Sequence, residues 1–256
     1  ECVGLNCEPT GQFAHNPEPL PSHLVDLCRT VAEENADLGI AVDPDVDRLA
    51  LVCEDGSFFG EEYTLVSVAD YVLSKRPGPT VSNLSSSRAL RDITEARGCT
   101  YTAAAVGEVN VTAEMKRTGA VIGGEGNGGV IVPDLHYGRD ALIGIALFLS
   151  SIAESGKKVS ALRESLPRYS ISKNRIELSD KALIDKVLEE VKKAYASERV
   201  TDIDGVKIDF DSERMWVHLR RSNTEPIIRV YSEAGDETRA ERIASDVIAM
   251  VNKIIG

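Results

Sequence analysis

The sequence predicts an α/β protein: the end of one α/β domain, a complete mixed-sheet α/β domain, and a C-terminal α+β domain with an antiparallel sheet. Two observations carry this. From residue 54 to about 155, short apolar runs of strand character alternate with amphipathic stretches of helical period, the pattern of strands joined by crossover helices. Beyond Pro167 the order becomes strand, helix, three consecutive strands and a last helix, which reads as an antiparallel sheet backed by helices. The segments implied are 1–53, 54–165 and 168–256, with composition shifting at 154–158 and again at Pro167.

Taken in order, residues 9–21 form a proline-rich loop. A helix follows from Ser22, a candidate N-cap, with Leu24, Leu27 and Val31 on one face. Residues 38–42 and 49–52 are two short apolar strands, and 54–57 is a hairpin turn. Helices are expected over 61–73, 87–97, 109–118 and 140–155, with strands at 80–83, 101–106 and 130–132 between them. Crossovers of this kind imply a mostly parallel sheet. In the last segment the strands are 169–178, 206–210, 216–219 and 227–232, and the helices are 180–195 and 236–254.

The chain has 256 residues, 43% hydrophobic and 27% charged, an ordinary globular composition with room for more than one domain. A net charge of -12 argues against nucleic acid as a partner, while leaving room for a local basic pocket. No apolar run approaches the length of a membrane span, and no stretch reads as a signal peptide. The five cysteines (Cys2, Cys7, Cys28, Cys53, Cys99) form no CxxC pair and read as the reduced thiols of a cytoplasmic protein.

Three stretches carry chemistry. In the first, Asp43-Pro44-Asp45-Val46-Asp47-Arg48, carboxylates at i, i+2 and i+4 are squeezed between two apolar strands. Carboxylates this close repel one another unless a cation neutralises them, and an all-oxygen set suits Mg2+ or Ca2+. An EF-hand loop also begins D-x-D-x-D, but Arg48 occupies its obligatory Gly position and the flanks are strands rather than helices. The second stretch is the glycine-rich loop 123–129, in which Glu125 and Asn127 offer directional polar groups and glycines such as Gly128 let a ligand approach the backbone. It lacks the Lys-Ser/Thr that ends a Walker loop. The third, Arg220-Arg221-Ser222-Asn223-Thr224-Glu225-Pro226 with Arg229 downstream, gathers guanidinium, hydroxyl and amide donors suited to a phosphate dianion.

These three loops, in this order and with these folds between them, resemble the α-D-phosphohexomutase family over the whole chain: the metal loop DPDxDR, a sugar loop usually written Gly-Glu-x-Ser-Gly-His, and a phosphate loop Arg-x-Ser-Asn-Thr-Glu-Pro with an Arg downstream. The resemblance implies that Asp43, Asp45 and Asp47 hold Mg2+ and that Arg48 contacts the phosphoryl group or the substrate. It implies that Glu125 and Asn127 read sugar hydroxyls, and that Arg220, Ser222, Asn223, Thr224 and Arg229 grip the non-reacting phosphate. Arg221 then fills the variable position. Gly129 stands where many members carry His, and the Asn-Gly-Gly form is most similar to archaeal-type phosphoglucosamine or phosphomannose mutases. His15-Asn16-Pro17 copies the end of the family's phosphoserine motif, but Ala14 precedes it, so that stretch reads as a structural loop.

The implied activity is interconversion of hexose 1- and 6-phosphates, of glucosamine or mannose above all, through a hexose 1,6-bisphosphate. The phosphoserine would lie in N-terminal domains that are not among these residues. Two other readings remain: a non-catalytic phosphosugar-binding module, and a metal-dependent sugar phosphatase with a loop aspartate as nucleophile. Gly107-Glu108 is a weaker candidate facing substrate. Arg139-Asp140 reads as a helix start, His136 and His218 as structural, and Trp216 as core.

Overall fold

The computed structural model describes residues 1–178, 183–222 and 225–255. The expected helix start at Asp180 and the loop residues Asn223 and Thr224 lie outside them. The chain forms two compact units, one made of 1–103 with 107–167 and the other of 104–106 with 168–256.

In the first unit, helix α1 (Val25–Glu33) leads into an antiparallel hairpin, β1 (Leu38–Val42) and β2 (Leu49–Cys53), with Val42 opposite Leu49. The six residues 43–48 are its connection. β2 is buried throughout, whereas β1 exposes Ile40 and Val42. Ser22 does not cap α1. Pro21–His23 form one 3-10 turn, and the buried Leu24 stands at the N-cap without a side-chain bond, so packing sets where the helix begins.

A four-stranded sheet of order β4-β3-β5-β6 follows. Its strands are β3 (Thr80–Asn83), β4 (Tyr101–Ala104), β5 (Ile122–Glu125) and β6 (Gly129–Ile131). β3 and β5 are parallel with Thr80 opposite Ile122, while β5 and β6 are antiparallel with Glu125 opposite Gly129. The sheet is therefore mixed, and the glycine-rich stretch is a hairpin whose first arm is strand. The helices are α2 (Glu61–Lys75), α3 (Arg88–Glu95), α4 (Glu108–Thr118) and α5 (Ala141–Ser155). Ser87 caps α3, and the Asp140 carboxylate caps α5 by accepting from Leu142 N and Ile143 N at 2.8 and 3.0 Å. Helix α6 (Val159–Ser165) lies between the two composition shifts and was not expected. Its start is held from a distance: Glu54 accepts from Ser160 N at 3.0 Å and Ser160 Oγ at 2.6 Å.

The second unit is a five-stranded antiparallel sheet of order β7-β11-β10-β9-β8. The strands are β7 (Ser170–Glu177), β8 (Arg199–Thr201), β9 (Val206–Phe210), β10 (Met215–Arg221) and β11 (Ile227–Ala234). Helices α7 (Leu183–Ala194) and α8 (Glu237–Ile255) cover one face, burying Ile184, Val187, Val191, Val247 and Val251 against Ile176, Ile208, Leu219, Ile228 and Val230. The edge strand β8, three residues long, is too short to show a period and was not expected. Among the described residues no helix is long and apolar enough to cross a membrane, and all five cysteines are free thiols.

Candidate active site

The β1–β2 connection is a folded-back loop organised by Asp43, which is 2% exposed. Its Oδ1 accepts the backbone N–H groups of Asp47 and Arg48, both at 3.0 Å, and its Oδ2 accepts Arg48 Nε at 2.7 Å. The chain reverses at Val46, which takes φ 59°. Two backbone bonds then pin the loop to its surroundings: Ala141 N donates to the Val46 carbonyl at 3.0 Å and Leu49 N to the Gly128 carbonyl at 3.1 Å. Carboxylate oxygens of Asp43, Asp45 and Asp47 come within 4.8 Å of one another.

The outer two of these acids are driven apart in acidity. Burial raises Asp43, but the Arg48 N–H donors and guanidinium outweigh it and bring the carboxyl down to about 2. Burial and the neighbouring carboxylates Asp43 and Asp45 push Asp47 up to about 6, against the pull of Arg139. Asp47 Oδ1 is buried with no hydrogen bond, and Arg48 Nε stands 3.6 Å from it. A hard divalent cation fits this donor set: it would give the bare oxygen a partner and relieve the crowding of charge.

The glycine-rich hairpin places Glu125 at 4% exposure with both oxygens engaged. Oε1 accepts from Asn83 Nδ2 at 2.8 Å and from Gly107 N at 3.1 Å, and Oε2 accepts from Arg139 Nη1 at 2.7 Å. Asn127 turns the hairpin, its Oδ1 accepting from Gly129 N at 3.2 Å. Two of these glycines are packed against the protein itself. A Cβ at Gly128 (φ +91°) would strike the Leu49 carbonyl, and one at Gly129 would strike the Arg139 stem. At these two positions glycine permits a close approach to the Leu49 backbone and to Arg139.

The third stretch is the turn between β10 and β11. Arg220 Nε lies 2.8 Å from Asp204 Oδ2. Arg229 stands directly opposite Arg220 across the ladder, and Arg175 of β7 opposite Arg229. Three cations in one cross-strand row repel one another and favour an anion. Arg221 is more exposed and pairs with Asp185 at 3.1 Å. Ser222 Oγ accepts from Glu225 N at 3.3 Å.

Family models match consecutively: phosphoglucomutase/phosphomannomutase alpha/beta/alpha domain II over 1–56, alpha/beta/alpha domain III over 60–169, and the C-terminal domain over 175–250. The chain belongs to the phosphoglucomutase/phosphomannomutase family. A probable phosphoglucosamine mutase of Methanopyrus kandleri is 34% identical over 100% of this chain and 57% of its own length. A phosphoglucomutase/phosphomannomutase of Thermococcus kodakarensis is 39% identical, over 93% of this chain and 52% of its own. The crystal structure of a phosphoglucomutase/phosphomannomutase family protein from Burkholderia thailandensis superposes with TM-score 0.79 at 27% identity, covering 93% of this chain and 51% of that one. The chain thus spans a little over half the length of the curated relatives it matches.

Within this family member the first unit gathers Asp43, Asp45, Asp47, Arg48, Glu125 and Asn127 around loops that touch. The second places Arg220 and Arg229 side by side. Sequence reasoning missed Asn83, Arg139, Asp204 and Arg175. A polar residue ending a buried strand was the available signal for Asn83, and a carboxylate beside a turn glycine for Asp204. His218 is buried as expected of a structural histidine, its Nε2 bonded to the Asp204 carbonyl at 2.7 Å. Trp216 is core and donates to Glu233 Oε1 at 2.7 Å.

Proposed function

We propose that the complete protein interconverts hexose 1- and 6-phosphates, with glucosamine or mannose phosphate as substrate, by way of a hexose 1,6-bisphosphate. The observation that carries this reading is the three-aspartate cluster with its one buried, unbonded oxygen, standing against a polar loop in a member of this family. On this reading 1–53 closes the second domain of the family plan, 54–165 is the third and 168–256 the fourth. No serine precedes His15-Asn16-Pro17, so the phosphoserine that donates and recovers the phosphoryl group is supplied from outside these 256 residues.

Asp43, Asp45 and Asp47 would hold Mg2+, which when bound neutralises charge on a phosphoryl group. Arg48, held by Asp43, is placed to share that charge. Glu125 and Asn127 take sugar hydroxyls, with Gly128 bringing the backbone alongside. Arg220 and Arg229, with Ser222, Asn223 and Thr224, take the non-reacting phosphate, which supplies positioning. One phosphate clamp used for either end of the sugar lets both ends reach the same donor.

Calorimetric titration of this chain with glucosamine 6-phosphate, mannose 6-phosphate and unphosphorylated glucosamine tests the reading. The two phosphates should bind and glucosamine should not. With glucose 1,6-bisphosphate added, the chain should give no mutase turnover. Equal binding of glucosamine, or turnover above background, would overturn the proposal.

A further inference from the structure

Arg139 stands where the metal loop and the sugar loop meet. Its Nη1 bonds Glu125 Oε2 at 2.7 Å and its Nη2 bonds Asp47 Oδ2. Glu108 holds it from a third side, Oε1 accepting from Arg139 N at 3.0 Å and Oε2 lying 3.5 Å from Nε. The side chain is 18% exposed, and its stem lies in the space a side chain at residue 129 would fill. One planar fork therefore fixes two carboxylates from loops about eighty residues apart, a geometry that lysine cannot reproduce.

We propose that Arg139 is a positioning residue that couples the two loops: it ties down Asp47 Oδ2 so that Oδ1 is presented to the cation, and sets Glu125 by the same guanidinium. This rests on the reading of Asp43, Asp45 and Asp47 as a Mg2+ site. Asp47 Oδ1 is the buried oxygen without a hydrogen bond, which is the atom such an arrangement leaves for a metal. Partners that orient a ligating carboxylate in this way act on metal affinity though they never touch the metal.

Direction separates positioning from plain charge. A cation beside a Mg2+ site repels the metal, so if charge were all that mattered, removing it would tighten binding. Positioning predicts the reverse. Mg2+ is titrated by calorimetry into the wild-type chain, Arg139→Gln and Arg139→Lys, with thermal unfolding as the check on folding. Arg139→Gln should weaken Mg2+ binding about 10–100-fold. Arg139→Lys, which keeps the charge and loses the fork, should weaken it about tenfold and serves alone if the Gln variant does not fold.

A second readout follows the coupling. The Gly107 amide donates to Glu125 on the side away from Arg139, and in wild type its NMR shift should move as Mg2+ is added. In Arg139→Lys that movement should vanish while the Asp47 amide still responds. Unchanged or tighter Mg2+ binding in both variants, or a Gly107 amide that ignores Mg2+ in wild type, overturns the role given to Arg139. A wild-type chain that binds no Mg2+ overturns the metal-loop reading and this inference with it.

Discussion

The proposed metal loop, 43–48, and the proposed phosphate loop, 220–229, both join antiparallel strands, yet they are held in opposite ways. Residues 43–48 are tied down on every side. Asp43 takes three donors, Val46 and Leu49 are pinned through their backbones, and Asp47 shares Arg139 with Glu125. The 220–229 turn instead carries Arg220 and Arg229 face to face, with Asp204 beside Arg220 and Asp185 beside Arg221. The first site has its charges compensated within the fold, so damage to it is felt as lost stability as well as lost binding. The second aligns three arginines that are only partly compensated by Asp204 and Glu177, so damage to it is felt mainly by a bound anion.

The sharpest way to break this contrast is Asp43→Ala. It strands three donors, one of them a guanidinium, in a largely buried loop, and should cost about 3 kcal/mol in denaturant unfolding as well as abolishing Mg2+ binding. A loss under about 0.5 kcal/mol would show that the loop is not part of the folding unit.

Arg220→Ala should do the reverse. Phosphate binding should weaken by roughly 1.5–3 kcal/mol, the range for a hydrogen bond to a charged group, while unfolding is nearly unchanged. Arg221→Ala should cost less, because its guanidinium is turned to Asp185. If Arg221→Ala proved the more damaging to phosphate binding, the two arginines have been assigned in the wrong order.

His218 sharpens the picture of the second unit. Burial lowers its imidazole to about 4 from an ordinary value of 6.5, so the unfolded chain takes the proton first. This contribution is whole above pH 6.5 and is lost as pH falls from there toward 4. Between pH 7 and 5.5 it should remove about 1 kcal/mol, read as the difference in pH slope between wild type and His218→Gln. Equal slopes would refute it.

The smallest effect belongs to Asp45, the exposed member of the acidic cluster. Asp45→Asn should weaken Mg2+ binding with stability unchanged within about 0.5 kcal/mol.

Legibility followed the same divide. The hairpin around 43–48 was readable because its three acids and both apolar flanks are contiguous, and the 220–229 turn because its donors are neighbours. Arg139 was not readable. Gly138-Arg139-Asp140 looks like a helix cap, which is right for Asp140, but the side-chain partners of Arg139 lie 14 and 92 positions away. The glycines of 123–129 were recognised as permitting close approach, but that Gly128 lies against Leu49 and Gly129 against Arg139 depends on tertiary packing. Helix α6 was hidden for a like reason, since its first turn is held by Glu54, 106 residues away. Asn223 and Thr224, read as phosphate donors, lie outside the described residues.

The most direct test of the account is an amide chemical-shift titration, first with inorganic phosphate and then with glucosamine 6-phosphate. Phosphate alone should move the amides of 220–222 and Arg229, and the sugar phosphate should move those and also 125–128. If the amides of 220–222 stay still with both ligands, the phosphate site, and with it the proposed phosphosugar chemistry, is contradicted.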